Sequence, residues 1–196
     1  MKNLARKSLV AVGLIMSLST YAGSTEFNLK DNDKNITNLR FENVRKGSTL
    51  IIKDLEGIVL YKEVIEKTGD YSKGFDLTSL PNGDYLFELD SELKIVVVPF
   101  KVNSSEVVFN KESEESIYKP VLIKKNQMVY VWKAESDPSS LSYKIYYADN
   151  DDLVLSERFE EMEEVSKAYD FSTAKKGNYV FVFESKGRKY TKTVKI

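Results

Sequence analysis

Three Ser-x-x-Lys pairs stand in the chain, at Ser91/Lys94, Ser116/Lys119 and Ser172/Lys175. That spacing sets a nucleophilic hydroxyl beside an ammonium on a helix of penicillin-binding-type enzymes. All three fall in polar, turn-like stretches of a Lys-rich chain, so they read as turn residues and not as catalytic pairs. The chain has no His and no Cys. Their absence removes the usual general base near neutral pH, any Ser-His or Cys-His pair, the usual zinc ligands and every disulfide. Thirty Asp and Glu make some carboxylate pair inevitable. Glycoside hydrolysis, however, needs a cleft holding two acids about 5–10 Å apart, and short loops leave little room for one. No catalytic residue is assigned, and a small hydrolase is a remote alternative.

Two further groups have chemistry to offer. Asp149-Asn150-Asp151-Asp152 could supply oxygen ligands to calcium, which takes six to eight. The EF-hand pattern of a central Gly and a distal Glu is missing, so a solvated hairpin turn is preferred, with Asp149, Asp151 and Asp152 as metal candidates. No cofactor is expected. Tyr130, Trp132, Tyr143, Tyr146 and Tyr147 form the aromatic group. Strand alternation puts Tyr130 and Trp132 on one face and separates Tyr146 from Tyr147. The preferred place for Trp132 is the core; an exposed face bearing Tyr130, Trp132 or Tyr146 would instead stack on sugar rings or another apolar surface.

The elements that must position these residues are strands. Strand-like runs recur every 8 to 12 residues or so, as in sandwiches and barrels, and helical periodicity over 11 or more residues is absent. Expected strands include Thr25–Leu29, Ile36–Val44, Thr49–Asp54, Met128–Trp132, Lys144–Ala148 and Leu153–Phe159. Asp137–Ser140 is expected as a loop, and Glu160–Glu164 as a solvated loop or a single helical turn. Phe75-Asp76-Leu77-Thr78-Ser79-Leu80-Pro81-Asn82-Gly83-Asp84-Tyr85 is a strand end, a turn and the start of the next strand. A shift of 94 positions brings up Tyr169 to Tyr179 with the same plan. Ser48–Val102 aligns with Ser142–Ile196 without a gap, and 12 of the 55 pairs are identical. The identities gather at the turn and the following strand, where geometry restricts residue choice, so the chain reads as one β unit written twice.

Gly83 and Gly177 are expected to take the left-handed backbone that reverses the chain. Two residues on, Tyr85 and Tyr179 are expected to bury their rings and return the hydroxyl to an upstream backbone group, the tyrosine corner of Greek-key sandwiches. These four residues are structural in this reading.

The ends and the charge bound the rest. Lys2, Arg6 and Lys7, an apolar run from Ser8 to Ser19, and Thr20-Tyr21-Ala22 read as a cleaved secretory signal. The run is short for a membrane span, which needs roughly 20 apolar residues, so no stable membrane insertion is expected. Loss of those three cations from 29 Lys and Arg leaves 26, against 30 acidic residues. That balance gives no basic footprint for nucleic acid. Three segments are expected: the signal at 1–22, a first β-sandwich domain at 23–103 and a second at 104–196.

Strand-Asp54-Leu55-Glu56-Gly57-strand, then Phe75 to Tyr85, then a terminal strand resembles the C-terminal sorting domain of the type IX secretion system of Bacteroidota. In the second unit Asp149–Asp152 stands in place of the first turn, and Ala174-Lys175-Lys176-Gly177 lacks the Pro. The resemblance implies an immunoglobulin-like β-sandwich in tandem copies, and an export or sorting role for the C-terminal unit. The fold class is therefore all-β, two immunoglobulin-like sandwiches. The leading function is an exported, non-enzymatic binding or structural module of the bacterial envelope or surface. Its partner would be a protein, a glycan or a surface assembly, and its location the periplasm, cell surface or medium. A secretion-sorting module is the alternative.

Overall fold

The structure, a computed structural model, describes residues 27–33 and 36–196. The expected signal segment lies outside the described residues, as do the first two residues of the strand expected at Thr25–Leu29. Among the described residues, fourteen strands form antiparallel sheets in two compact units, which divide between Ile117 and Tyr118.

In the first unit, β1 (Phe27–Asp33), β2 (Ile36–Val44) and β5 (Gly69–Phe75) make one sheet in the order β1-β2-β5. The second sheet runs β4-β3-β6-β7-β8, from β3 (Thr49–Asp54), β4 (Val59–Val64), β6 (Gly83–Asp90), β7 (Lys94–Asn103) and β8 (Glu106–Phe109), and β9 (Glu115–Tyr118) also pairs with β7. Alternation decides which side chains meet between the sheets. Leu39 and Phe41 of β2 pack with Leu50 and Ile52 of β3, Phe87 and Leu89 of β6, and Val98 and Phe100 of β7. Because β8 and β9 stay on the edge of β7, the first unit extends well past residue 103, where the sequence put its end.

The second unit is hydrogen-bonded as one five-stranded sheet, whose longer strands fold over to make both layers. These are β10 (Val121–Lys125), β11 (Met128–Tyr147), β12 (Asp152–Asp170), β13 (Asn178–Ser185) and β14 (Arg188–Lys195), in the order β10-β11-β13-β14 with β12 beside β11. The first part of β11 pairs with β10, as in Ile123↔Tyr130, and the later part with β13, as in Ile145↔Phe181. β12 accompanies β11 along both parts, with register shifts between Ala134 and Ser139 and between Ser139 and Leu141. The core takes Val129 and Val131 from the first part and Tyr143 and Ile145 from the later part. One hairpin thus bends at its bulges and feeds both layers. The loop expected at Asp137–Ser140 and the loop or helical turn expected at Glu160–Glu164 are instead strand. Pro138 is tolerated because the ladder already slips there.

Register also corrects the gap-free alignment. Leu50 faces Leu89 and Tyr143 faces Phe183, while Leu89 and Phe183 are 94 positions apart. Leu50 therefore corresponds to Tyr143 and Ile52 to Ile145, a shift of 93. The extra residue of the second unit lies in the hairpin between its paired strands, which carries Asp149–Asp152.

Candidate functional site

The turn-and-tyrosine element shows how each unit is closed. Asp76 caps the turn after β5, accepting from the Thr78 amide at 3.2 Å, and Asp170 accepts from the Ser172 amide at 2.8 Å. The Tyr85 hydroxyl donates to the Pro81 carbonyl and the Tyr179 hydroxyl to the Lys175 carbonyl, each at 2.8 Å and four residues upstream. Both rings are buried, and burial pushes the Tyr179 hydroxyl pKa up. The glycines differ. Gly177 has a φ of 146°, but Gly83 does not have a left-handed backbone, contrary to expectation. A side chain at Gly177 would meet the Tyr147 ring at 2.7 Å, whereas one at Gly83 would sit 3.5 Å from Tyr85, an ordinary contact. In the first unit the Pro-Asn pair carries the turn, and the Asn82 side chain accepts from the Ser104 amide at 2.9 Å.

Sequence reasoning missed a carboxylate clasp in each unit. Glu63 of β4 accepts from Tyr61, from Lys73 of β5 and, at 3.1 Å, from Tyr71 of β5. The Lys73 bond holds the Glu63 carboxyl below the usual range, while burial and Glu63 push Tyr71 up. Glu157, 94 positions on, accepts from Tyr169 at 2.8 Å and from Tyr143 at 3.2 Å. Burial, together with Tyr169, pushes Tyr143 up. Each shift in these clasps moves its group away from neutral pH, so the arrangement fastens strand to strand and is not poised for acid–base chemistry. The identity of Glu63 and Glu157 was visible in the repeat; their tyrosine partners fall at non-equivalent positions, which hid the cluster.

The other chemical candidates resolve locally. The Ser91 hydroxyl donates to the Lys94 carbonyl at 2.6 Å, and Ser116 lies in β9. The Lys175 ammonium sits 4.4 Å from the centre of the Tyr147 ring. Asp149 accepts from the Tyr147 hydroxyl at 2.6 Å, raising that hydroxyl's pKa, and Asp152 accepts from the Asn150 side chain at 2.7 Å. Asp151 adopts a φ of 54°, as the turn requires. Among the described residues, no group of three or more acidic side chains is placed to hold a metal ion.

The aromatic group divides. Tyr143 and Tyr147 enter the core with Phe181 and Phe183. Trp132 does not, in contrast to the core place preferred from the sequence. It is 40% exposed, with Tyr130 at 39% and Ile123 at 44%. The reason is alternation: Val129 and Val131 take the inner face, so Tyr130 and Trp132 point outward from the β10–β11–β12 layer. Ile123 faces Tyr130 across the ladder, and the small residues Ala168 and Ser166 face Tyr130 and Trp132 on the other side. The indole N–H donates to Glu164 at 2.9 Å, which fixes the plane of the ring. Tyr146 lies on the later part of β11, outward from the other layer, and is not brought to this face.

The first unit supplies a comparison. Arg40↔Ser72 and Asn38↔Gly74 occupy the places of Trp132↔Ser166 and Tyr130↔Ala168. Arg40 donates to Asp70 at 2.9 Å, and Asp70 corresponds to Glu164. The outward cross-strand bond is thus present in both units, but only the second gives it an aromatic donor.

No family model matches the chain, and no curated protein matches it. Among solved structures, the human OSCAR ligand-binding domain is similar at 9% identity, with 87% of this chain and 96% of that chain covered and a TM-score of 0.26. The BSP domain of a biofilm associated protein is similar at 12% identity, with 87% and 29% covered and a TM-score of 0.26. A tetra-tandem repeat from the extending region of a large adhesion protein is similar at 16% identity, with 86% and 47% covered and a TM-score of 0.27. The chain spans less than a third of the second and about half of the third. No helix among the described residues is long and apolar enough to cross a membrane.

Proposed function

We propose that the chain is an exported, non-enzymatic binding module of the bacterial envelope or surface, and that its contact face is the outward aromatic strip of Ile123, Tyr130 and Trp132. The observation that carries this reading is the comparison between the units. The fold closes the same cross-strand bond with Arg40 on a polar face, so the indole of Trp132 adds nothing that the sandwich needs. It adds flat apolar area in water, held at a fixed angle by Glu164. A ring so held, beside a second ring and flanked by small side chains, suits the apolar face of a sugar or a partner's aliphatic surface. The export half of the reading rests on the basic, apolar and small-residue pattern of residues 2–22.

Trp132 is the sole tryptophan, so its emission reports on this face alone. Titration with soluble cell-wall polysaccharide fragments is expected to quench or blue-shift that emission saturably. Tyr130→Ala should weaken the response at least tenfold with the unfolding midpoint unchanged. A saturable partner whose binding leaves Trp132 emission and the Tyr130→Ala affinity untouched would remove this face from the function.

A further inference from the structure

The two units share one strand plan but differ at one edge. In the first, β7 carries β8 along its far side, with Lys101↔Val108 and Val102↔Val107 among the pairs, and β9 as well. In the second, the corresponding strand β14 pairs with β13 and, among the described residues, with nothing beyond it. The added strand matters to the core of the first unit. Phe109 of β8 stacks 5.2 Å from Phe100 and 5.9 Å from Phe87, and Val107 packs on the same cluster. Beneath that cover Phe100 and Val102 are buried. Their counterparts Val194 and Ile196 are only partly buried.

Among the described residues, the backbone of β14 has an open edge. Ile196 exchanges hydrogen bonds with Gly177, its amide donating at 2.8 Å and its carbonyl accepting at 3.2 Å. Alternation then turns the amides and carbonyls of Lys189, Thr191, Thr193 and Lys195 away from β13. The Lys195 carbonyl accepts from the Lys124 ammonium at 2.7 Å, leaving the edge from Lys189 to Thr193 for a partner. The side chains of those outward residues are exposed and include Lys189 and Lys195. A second copy laid antiparallel on this strand would set lysines against lysines, which disfavours self-association. An acidic strand would meet the opposite charge. β8 supplies the apolar half of such a strand, with Val107 and Phe109 packed on the core, while its Glu106 faces Asn103.

The geometry points to β14 as a strand-addition site for an extended, acidic segment of a partner protein with apolar residues at alternate positions. Its backbone pairs with Lys189 to Thr193, and its apolar side chains cover Val194, the counterpart of Phe100, which Phe109 faces in the first unit. This site lies on a different strand from the aromatic strip and does not depend on it.

A fluorescein-labelled peptide with the sequence of residues 104–118 is the probe, added to the full chain and followed by anisotropy. Saturable binding is expected that weakens roughly tenfold when salt rises from low to physiological strength. Thr191→Pro removes an edge amide at a position where Pro is tolerated in an edge strand and should weaken binding at least tenfold. The Lys189→Glu, Lys195→Glu double variant should do the same without touching the backbone, so a misfolded proline variant leaves the test intact. Unchanged Trp132 emission and far-UV dichroism establish folding of each variant. Equal binding by both variants, equal binding of a shuffled peptide, or no saturable binding up to about millimolar peptide would overturn the proposal. So would a stable dimer of the unliganded chain formed through β14.

Discussion

Gly177→Ala tests the difference between the two turn glycines. At a φ of 146° an L-side chain is strained, which costs about 1–3 kcal/mol. Sterics add to this, since the new Cβ would lie 2.7 Å from two atoms of the Tyr147 side chain and 3.0 Å from a third. That side chain cannot swing aside freely. Its hydroxyl is held by Asp149 at 2.6 Å and by the Lys176 carbonyl at 3.0 Å, and its ring packs against Tyr179 at 5.2 Å. Displacing it is an overpacking problem worth about 1–3 kcal/mol. The expected loss is therefore about 2–6 kcal/mol, confined to the second unit. Gly83→Ala meets the Tyr85 ring at 3.5 Å with no left-handed φ to violate, and should fall within about 0.5 kcal/mol of the parent. Urea titration followed by Trp132 emission reads the second unit, and hydrogen exchange of β6 and β7 amides reads the first. The Gly177 variant should lower the emission midpoint by at least about 1 M urea at unchanged slope. An unmoved midpoint, or an equal loss in the Gly83 variant, refutes the reasoning.

Two further perturbations follow from the same geometry. Tyr85→Phe and Tyr179→Phe each leave a carbonyl without its 2.8 Å donor; each should destabilise its own unit by about 1 kcal/mol. Hydrogen exchange that showed both losses in one unit would count against independent corners. Glu63→Gln addresses pH: the folded carboxyl is held below its ordinary 4.5, so its contribution is fully present above that value and lost as pH falls through the lower, folded value. The stability gap between parent and variant in the first unit should therefore be constant above about pH 5 and close progressively below pH 4.5. A gap that persists unchanged at pH 2 would show that the clasp acts through packing and not through charge.

The parts of this fold legible in the sequence are those fixed by local geometry. Gly177, Tyr85 and Tyr179 announce themselves because a turn, and a tyrosine bond spanning four residues, admit few alternatives. Strands of the first unit such as Ile36–Val44 and Thr49–Asp54 were legible for the same reason, each ending at a turn signal, whereas β8 and β9 lie beyond the boundary expected at residue 103. β11 and β12 were not. Asp137-Pro138-Ser139-Ser140 carries every mark of a loop, yet a strand that bends between layers needs slack, and the residues that supply slack are those that make turns. Glu160–Glu164 misled in the same way. The burial of Trp132 was misjudged on composition, since a lone large aromatic is usually core. Parity with Val129 and Val131 was the better guide, because the two β-branched residues take the inner face and leave the ring no choice.

Duplication offers a further lever, since two units under the same folding constraint separate what the sandwich requires from what it merely permits. The caps at Asp76 and Asp170, the corners at Tyr85 and Tyr179 and the clasps at Glu63 and Glu157 recur, so they belong to the requirement. Their recurrence fits a chain without Cys, whose strands are fastened without disulfides. The differences are of another kind. Arg40 gives way to Trp132 while the bond to the acidic partner stays, and the apolar, covered β7 gives way to the lysine-bearing β14 with one side open. Neither change improves the closure of the second unit: the first puts an indole in water and the second leaves Val194 and Ile196 partly exposed. Each incurs the loss of roughly 25 cal/mol for every Å² of apolar surface left wet. A partner that covers the same surface returns that free energy as binding. Both departures lie in the second unit, one on the face of a layer and one at its edge. On the binding reading proposed above, those two surfaces are the ones to test.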